Sequence, residues 1–180
     1  MKRQPADFIP HLERYVFAAN YCSRQRVIDL GSKTGYGSYI MGYFAKKITL
    51  VDYKSDLIAG AKKQSFPCVV DFLEMDLNED YPKGEWDMAV AFEIIEHVKD
   101  PDQFVKNIAD HLPSGGQLVF SVPHMKPHQD HLTLFDKDKI TVLISKYFIL
   151  EELYWQDSYG ISNTPFGRYP KTHVGVGRKL

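Results

Sequence analysis

Neither sign of charge prevails in this chain: 22 Lys and Arg residues stand against 23 Asp and Glu, a formal net charge of −1. Such a balance lacks the basic footprint that duplex nucleic acid requires. It argues against nucleic acid without excluding the end of a strand, and it suits a small neutral molecule or a saccharide. Cysteine is scarce too. Cys22 and Cys68 lie far apart without paired-motif spacing, so they are read as reduced and structural. No apolar run approaches the ~20 residues that span a bilayer, and the opening "MKRQPADFIP" has no apolar core of a signal peptide. A cytoplasmic protein with no membrane association is expected. Repeats, low-complexity tracts and Gly/Ser-rich linkers are absent, which favours one domain over residues 1–180, a leader or lid segment at 1–24 and a core at 25–180.

What is present is an alternation. "RVIDL" (26–30), "KITLVD" (47–52), "WDMAVAF" (86–92) and "GQLVFSV" (116–122) are short apolar runs without clean alternation, as strands buried on both faces read. "FPCVVDFLEMD" (66–76) is a further strand candidate. Helical patterns separate them. Tyr39, Ile40, Tyr43 and Phe44 share a stripe, and Ser55 is placed to cap a helix carrying Leu57, Ile58 and Ala61. Asp100-Pro101-Asp102-Gln103 reads as N-cap, first position and reciprocal capping partner ahead of Phe104, Val105, Ile108 and Leu112. Asp136 opens a helix with Ile140, Leu143 and Ile144 inward. The last two strands, 147–157 and 172–180, have no helix between them. The expectation is an α/β, Rossmann-like, doubly wound sheet of seven strands, mostly parallel with an antiparallel C-terminal strand.

In such sheets ligands sit beyond the carboxyl ends of the strands. Asp29 lies at the end of the first strand with Gly31, Ser32, Lys33 and Gly35 following it, Asp52 ends the second 21 residues beyond Gly31, and Asp76 ends the third. Glycines let main chain approach a ligand, and an acid at that offset accepts bonds from ribose hydroxyls. The set points to a nucleoside-type ligand. "SKTG" is no phosphate-binding P-loop, since the preceding glycine is missing at the required spacing.

These segments resemble class I S-adenosylmethionine-dependent methyltransferases, in the subgroup with an E-x-x-E-H segment. "VIDLGSKTGYGSYI" resembles the first motif, "LVDY" (50–53) the ribose-binding acid with Tyr53 after it, and "EMDL" (74–77) the adenine side with Asp76 and Leu77. "AFEIIEHVKDPDQFV" (91–105), "LPSGGQLVFSVP" (112–123) and the final hairpin resemble later parts of the family, and "ERYVFAANYC" (13–22) its leader helix. The resemblance implies S-adenosylmethionine as cofactor and S-adenosylhomocysteine as product. Lys33 departs from it, standing where the family has glycine. Its ammonium either obstructs the methionine portion, points away, or pairs with the cofactor carboxylate. Arg14 is a second candidate for that carboxylate.

Methyl transfer needs an aligned acceptor and at times a base. Glu93, Glu96 and His97 share one face if Glu93 starts a helical turn, and "PHMKPHQDHLTLF" (123–135) brings His124, His128 and His131. Glu93, His97 and His131 are thus candidates for catalysis. Glu93, Glu96, His97 and His131 form a candidate divalent-metal set, for Mg or Zn. A packed, metal-free reading of the same residues stays open. Glu93 is also a cofactor candidate. Tyr159, Phe166, Arg168 and Tyr169 could line the pocket mouth, and Phe8, His11, Arg14 and Tyr15 could form a lid.

"FEII" stands where amino-group methyltransferases carry an "NPPY" type of tetrapeptide, which favours transfer to oxygen on a small molecule or saccharide. The alternatives are a catalytically silent module of the same fold, supported by Lys33, and a metal-assisted 2′-O-methyltransferase of RNA 3′ ends. A nicotinamide-dependent oxidoreductase fits poorly without G-x-G-x-x-G. A monomer or homodimer is expected, with a partner subunit a further option.

Overall fold

The computed structural model describes residues 5–158, 160–164 and 172–180. Thirteen elements follow in the order α1 (Pro5–Ala19), β1 (Arg26–Leu30), α2 (Tyr36–Gly42), β2 (Lys47–Asp52), α3 (Ser55–Ala61), β3 (Val69–Glu74), β4 (Met88–Phe92), α4 (Pro101–His111), β5 (Gln117–Pro123), α5 (Lys137–Ser145), β6 (Phe148–Asp157), β7 (Gly160–Ser162) and β8 (Thr172–Lys179). The sheet order is β3-β2-β1-β4-β5-β8-β6-β7. β1 to β5 pair in parallel, and β8 runs antiparallel between β5 and β6. The chain winds outward from β1 in one direction and from β4 in the other, so the switch point opens between the carboxyl ends of β1 and β4. The expected doubly wound sheet with a reversed last strand is found. An eighth strand joins it, the three residues of β7, antiparallel to the end of β6.

Strand residues alternate between two cores. Ile28, Ala89, Ala91, Leu118, Phe120 and Val122 face α4 and α5 through Phe104, Val105, Ile108, Ile140 and Ile144. Val27, Ile48, Met88, Val90 and Val119 face Tyr15 and Ala18 of α1 and Met41 of α2. Asp100 and Asp136 cap α4 and α5, accepting from the Gln103 and Lys139 main-chain N–H groups at 3.0 and 2.8 Å. The reciprocal cap does not form, because the Gln103 amide donates to Asn107 instead. Ser55 is the first residue of α3 rather than its cap, which falls at Lys54.

The stripe on α2 is corrected as well. Of its four residues Ile40 is half-buried against the core, but Tyr39, Tyr43 and Phe44 are exposed, whereas Gly37, Ser38, Met41 and Gly42 are buried. The reason is close approach: a Cβ on Gly37 would stand 2.2 Å from the Tyr15 ring, so only a glycine face lets α1 lie against α2. That contact carries the leader helix onto the sheet.

Candidate functional site

The loop from β1 to α2 turns by left-handed residues. Gly31 and Gly35 have φ of 76° and 79°, and Lys33, with φ of 53°, shares the left-handed region that favours glycine. Its main-chain N–H donates to Asp52 Oδ2 at 3.0 Å, while the Lys54 N–H donates to Oδ1 at 3.0 Å. Each oxygen of the buried Asp52 carboxylate thus keeps acceptor capacity beyond one main-chain bond. Asp29 lies beneath the loop, fully buried. Ser38 Oγ donates to its Oδ2 at 2.5 Å, and Oδ1 is unpartnered, as is the buried Ser32 hydroxyl. Burial pushes the Asp29 carboxyl up to about 7, against the pull of the Ser38 bond.

A cleft of about 620 Å³ opens above, lined by Gly31, Lys33, Asp52, Tyr53, Asp76, Leu77, Glu93 and His97 among others. Asp76 receives the Asn78 main-chain and side-chain N–H groups at 2.9 and 3.1 Å. Tyr53 is exposed beside Lys54. Volume, ribose-spaced acid and glycine-turned floor fit an adenosyl ligand.

Glu93 follows β4 in a left-handed conformation, φ 51°, a strained state for a side-chain-bearing residue. Its carboxylate accepts from Ser121 Oγ at 3.0 Å and lies 3.8 Å from Arg14 Nη1. Arg14 is itself only 3% exposed. It donates to Gln156 Oε1 at 2.7 Å and meets His11 Nδ1 at 2.7 Å, and its buried Nε has no partner. Arg14 therefore clasps α1 to β6 and Glu93 at the rim. Tyr159, Phe166, Arg168 and Tyr169, and the Phe8 side chain, lie outside the described residues.

After Glu93 the chain makes a single turn, closed by the His97 N–H on the Ile94 carbonyl at 2.9 Å. The expected shared face of Glu93, Glu96 and His97 does not form, since the left-handed Glu93 breaks the helical path. Glu96, His97 and His131 come together instead, one ligand atom of each within 4.8 Å of the others. His128 stays exposed, and His124 sits elsewhere, against His173.

Both clustered imidazoles point Nδ1 at main-chain carbonyls: His97 at Asp130 and His131 at Lys126, each at 2.7 Å. With Nδ1 as donor, Nε2 carries the lone pair. His97 Nε2 is 3.7 Å from Glu96 Oε1. Burial holds His97 below the ordinary imidazole value despite its bond to Asp130, so it is neutral at pH 7. Glu96 is fully buried with both oxygens unpartnered. Burial first, then the Glu93 charge, raises it to about 8, offset in part by Arg14 and Lys33.

A pH dependence follows. A carboxyl raised in the folded state binds its proton there before the unfolded chain does. Its contribution is fully present below the ordinary value of 4.5 and lost as pH rises toward about 8. Glu96→Gln, which cannot ionise, is expected to flatten the fall in unfolding free energy between about pH 5 and 8 by an amount on the order of 1–3 kcal/mol. Calorimetry across that range checks it; an unchanged slope would place the Glu96 proton elsewhere.

A Rossmann-like fold with a cleft lined by Asp52, Asp76 and a glycine-turned loop at the carboxyl ends of its strands is an architecture of cofactor-binding proteins. Sequence comparison makes it specific: the methyltransferase-domain family matches residues 2–156, and the chain belongs to it. A probable S-adenosylmethionine-dependent methyltransferase of Mycobacterium tuberculosis is 28% identical over 147 residues, covering 76% of this chain and 53% of that protein. A ubiquinone biosynthesis O-methyltransferase of Xanthomonas euvesicatoria is 29% identical over 126 residues, covering 67% and 52%. The chain thus spans about half the length of these relatives. In fold, it is similar to the N-methyltransferase NodS from Bradyrhizobium japonicum, solved with S-adenosylhomocysteine: TM-score 0.76, 14% identity, 99% of this chain and 89% of that one. S-adenosylmethionine is the cofactor of the group to which the chain belongs. No helix among the described residues is long and apolar enough to cross a membrane.

Proposed function

We propose that this chain transfers a methyl group from S-adenosylmethionine to an oxygen of a small-molecule or saccharide acceptor. The observation that carries the proposal is His97: neutral, tied at Nδ1 by a main-chain carbonyl, and lining the same cleft as Asp52 and Gly31. Asp52 holds the ribose and Asp76 and Leu77 flank the base. The glycine-turned loop passes beneath the amino-acid portion. The cofactor supplies a methyl group on a positive sulfur. His97 Nε2 would take the proton that the acceptor hydroxyl gives up as its oxygen receives that methyl group and the carbon–sulfur pair is left with the product. His131 and protonated Glu96 surround that nitrogen, and Glu93 fixes the rim through Ser121 and Arg14.

A metal-assisted variant draws support from the Glu96, His97 and His131 donors, a carboxylate and two imidazole lone pairs suited to Zn or a similar divalent ion. There the ion would lower the pKa of the acceptor hydroxyl, and the RNA 3′-end chemistry belongs to this variant. Glu93 fits it less well, being committed to Ser121 and Arg14. Chelation separates the two readings: turnover persisting after exhaustive chelation retains His97 as base, whereas its loss and recovery with Zn selects the metal.

A silent module is tested at Lys33. The lysine backbone already adopts the glycine conformation and keeps its bond to Asp52. Relief of left-handed strain and the extra freedom of glycine in the unfolded chain, each about 1 kcal/mol, oppose each other. Lys33→Gly is therefore expected to leave stability within about 1 kcal/mol. Its affinity for S-adenosylhomocysteine should stay within about tenfold of wild type in calorimetric titration. No binding by wild type, with binding restored in the variant, would replace the enzyme by the silent module.

A further inference from the structure

A second histidine cluster lies apart from the first. His124 Nδ1 and His173 Nε2 face each other at 2.9 Å, and the Trp155 ring packs on His173 with centroids 4.1 Å apart. His173 is fully buried, and its Nδ1 has no partner. Two nitrogens at this separation hold one proton between them, so the contact is a directed hydrogen bond and not mere packing. Burial holds His173 down to about 4, which keeps it neutral at ordinary pH.

The position of His124 gives the bond its meaning. It is the first residue past β5 and bridges to Phe135, while the Met125 N–H donates to the Phe135 carbonyl at 2.7 Å. Residues 125–134 are thereby gathered into a loop with His124 and Phe135 as its neck. The loop supplies His131, the Asp130 carbonyl that orients His97, and the Leu132 and Thr133 N–H groups that donate to the Glu96 carbonyl at 2.8 and 3.2 Å. Phe135 is buried and holds one side of the neck. The other side is held at its side chain by His173, from β8.

We infer that His124 and His173 are positioning residues for the methyl-transfer site: their shared proton pins the neck of the 125–134 loop and so aims His131 and the His97 ring. The inference rests on the proposed role of His97 for its catalytic consequence, but not for its structural one. It accounts for a buried imidazole left with an unpartnered nitrogen, because an apolar ring in the same place would pack without that loss yet could not hold His124.

Three variants test it. His173→Phe keeps a ring against Trp155, removes the unpartnered nitrogen and deletes the bond. His173→Gln and His124→Asn place an amide where the ring nitrogen was and retain it. The expected result for His173→Phe is an unchanged or higher thermal midpoint, with amide hydrogen exchange at Leu132 and Thr133 faster by about tenfold or more. Turnover should fall about tenfold or more through kcat, with S-adenosylhomocysteine affinity within about twofold of wild type. The Gln and Asn variants should restore both exchange protection and turnover. Unchanged loop protection in His173→Phe, or failure of both amide variants to restore it, overturns the pin. Because exchange is measured without an acceptor, a chain that methylates nothing would refute the proposed function and leave the pin decided on its own.

Discussion

Asp52→Ala is expected to weaken S-adenosylhomocysteine binding at least about 100-fold in calorimetric titration while the chain still folds. The carboxylate has each oxygen on one main-chain N–H, from Lys33 and from Lys54, and spare acceptor capacity facing the cleft. Ribose hydroxyls on a charged acceptor contribute about 1.5–3 kcal/mol each, so losing two exceeds a 100-fold effect. Removing the side chain also frees the Lys33 N–H, which fixes the loop in its left-handed turn. Asp52→Asn is expected to be nearly as damaging. One end of its amide would present a donor to a main-chain donor, since both existing partners are N–H groups. The folding cost is limited to two exchanged hydrogen bonds, a drop of a few degrees in the thermal midpoint for a chain of this length. Binding by Asp52→Ala within about tenfold of wild type would move the adenosyl site elsewhere.

His97→Ala should lower turnover by about 10²–10⁴, the usual span for a general base, with S-adenosylhomocysteine affinity changed less than threefold or so. His97→Asn sharpens the result. An amide at the Nδ1 position keeps the bond to the Asp130 carbonyl, and with it the loop, yet supplies no Nε2. If the base is what matters, both variants fall alike; if loop anchoring is, Asn recovers. The pH profile follows from the direction of the shift. Burial holds the ring of the free protein below its ordinary value, so kcat/KM should rise with pH and reach half its plateau below pH 6.5. Unimpaired turnover in both variants would remove His97 from the chemistry.

Asp29, Gly31, Asp52 and Asp76 are recognisable in sequence because their spacing follows from strand length and from the turn that ends each strand. Those are local constraints. The caps at Asp100 and Asp136 are legible for the same reason. Glu93 is a different case. Its identity suggested a ligand on a helical face with Glu96 and His97. Its left-handed backbone and its bond to Ser121, 28 residues on, turn it toward Arg14 and Ser121. The exposed aromatics of α2 misled likewise, because the buried face is chosen by the Tyr15 ring arriving from another helix. His173 carried no sequence signal at all. Only its place in β8, opposite Val122 of β5, makes it the partner of His124.

Sequence by itself determined the alternating strand–helix order, the reversed final strand, the acid-and-glycine rim and the methyltransferase family. Each is written in short-range periodicity and in residues whose conformational needs are their own. Tertiary structure alone decided which histidines meet, that the Glu96 carboxyl is sealed without a hydrogen-bond partner, and that Lys33 takes a left-handed conformation over Asp52. Those outcomes depend on burial and on contacts between residues distant in the chain, and side-chain pKa and hydrogen-bond choice follow the surroundings that the fold assembles.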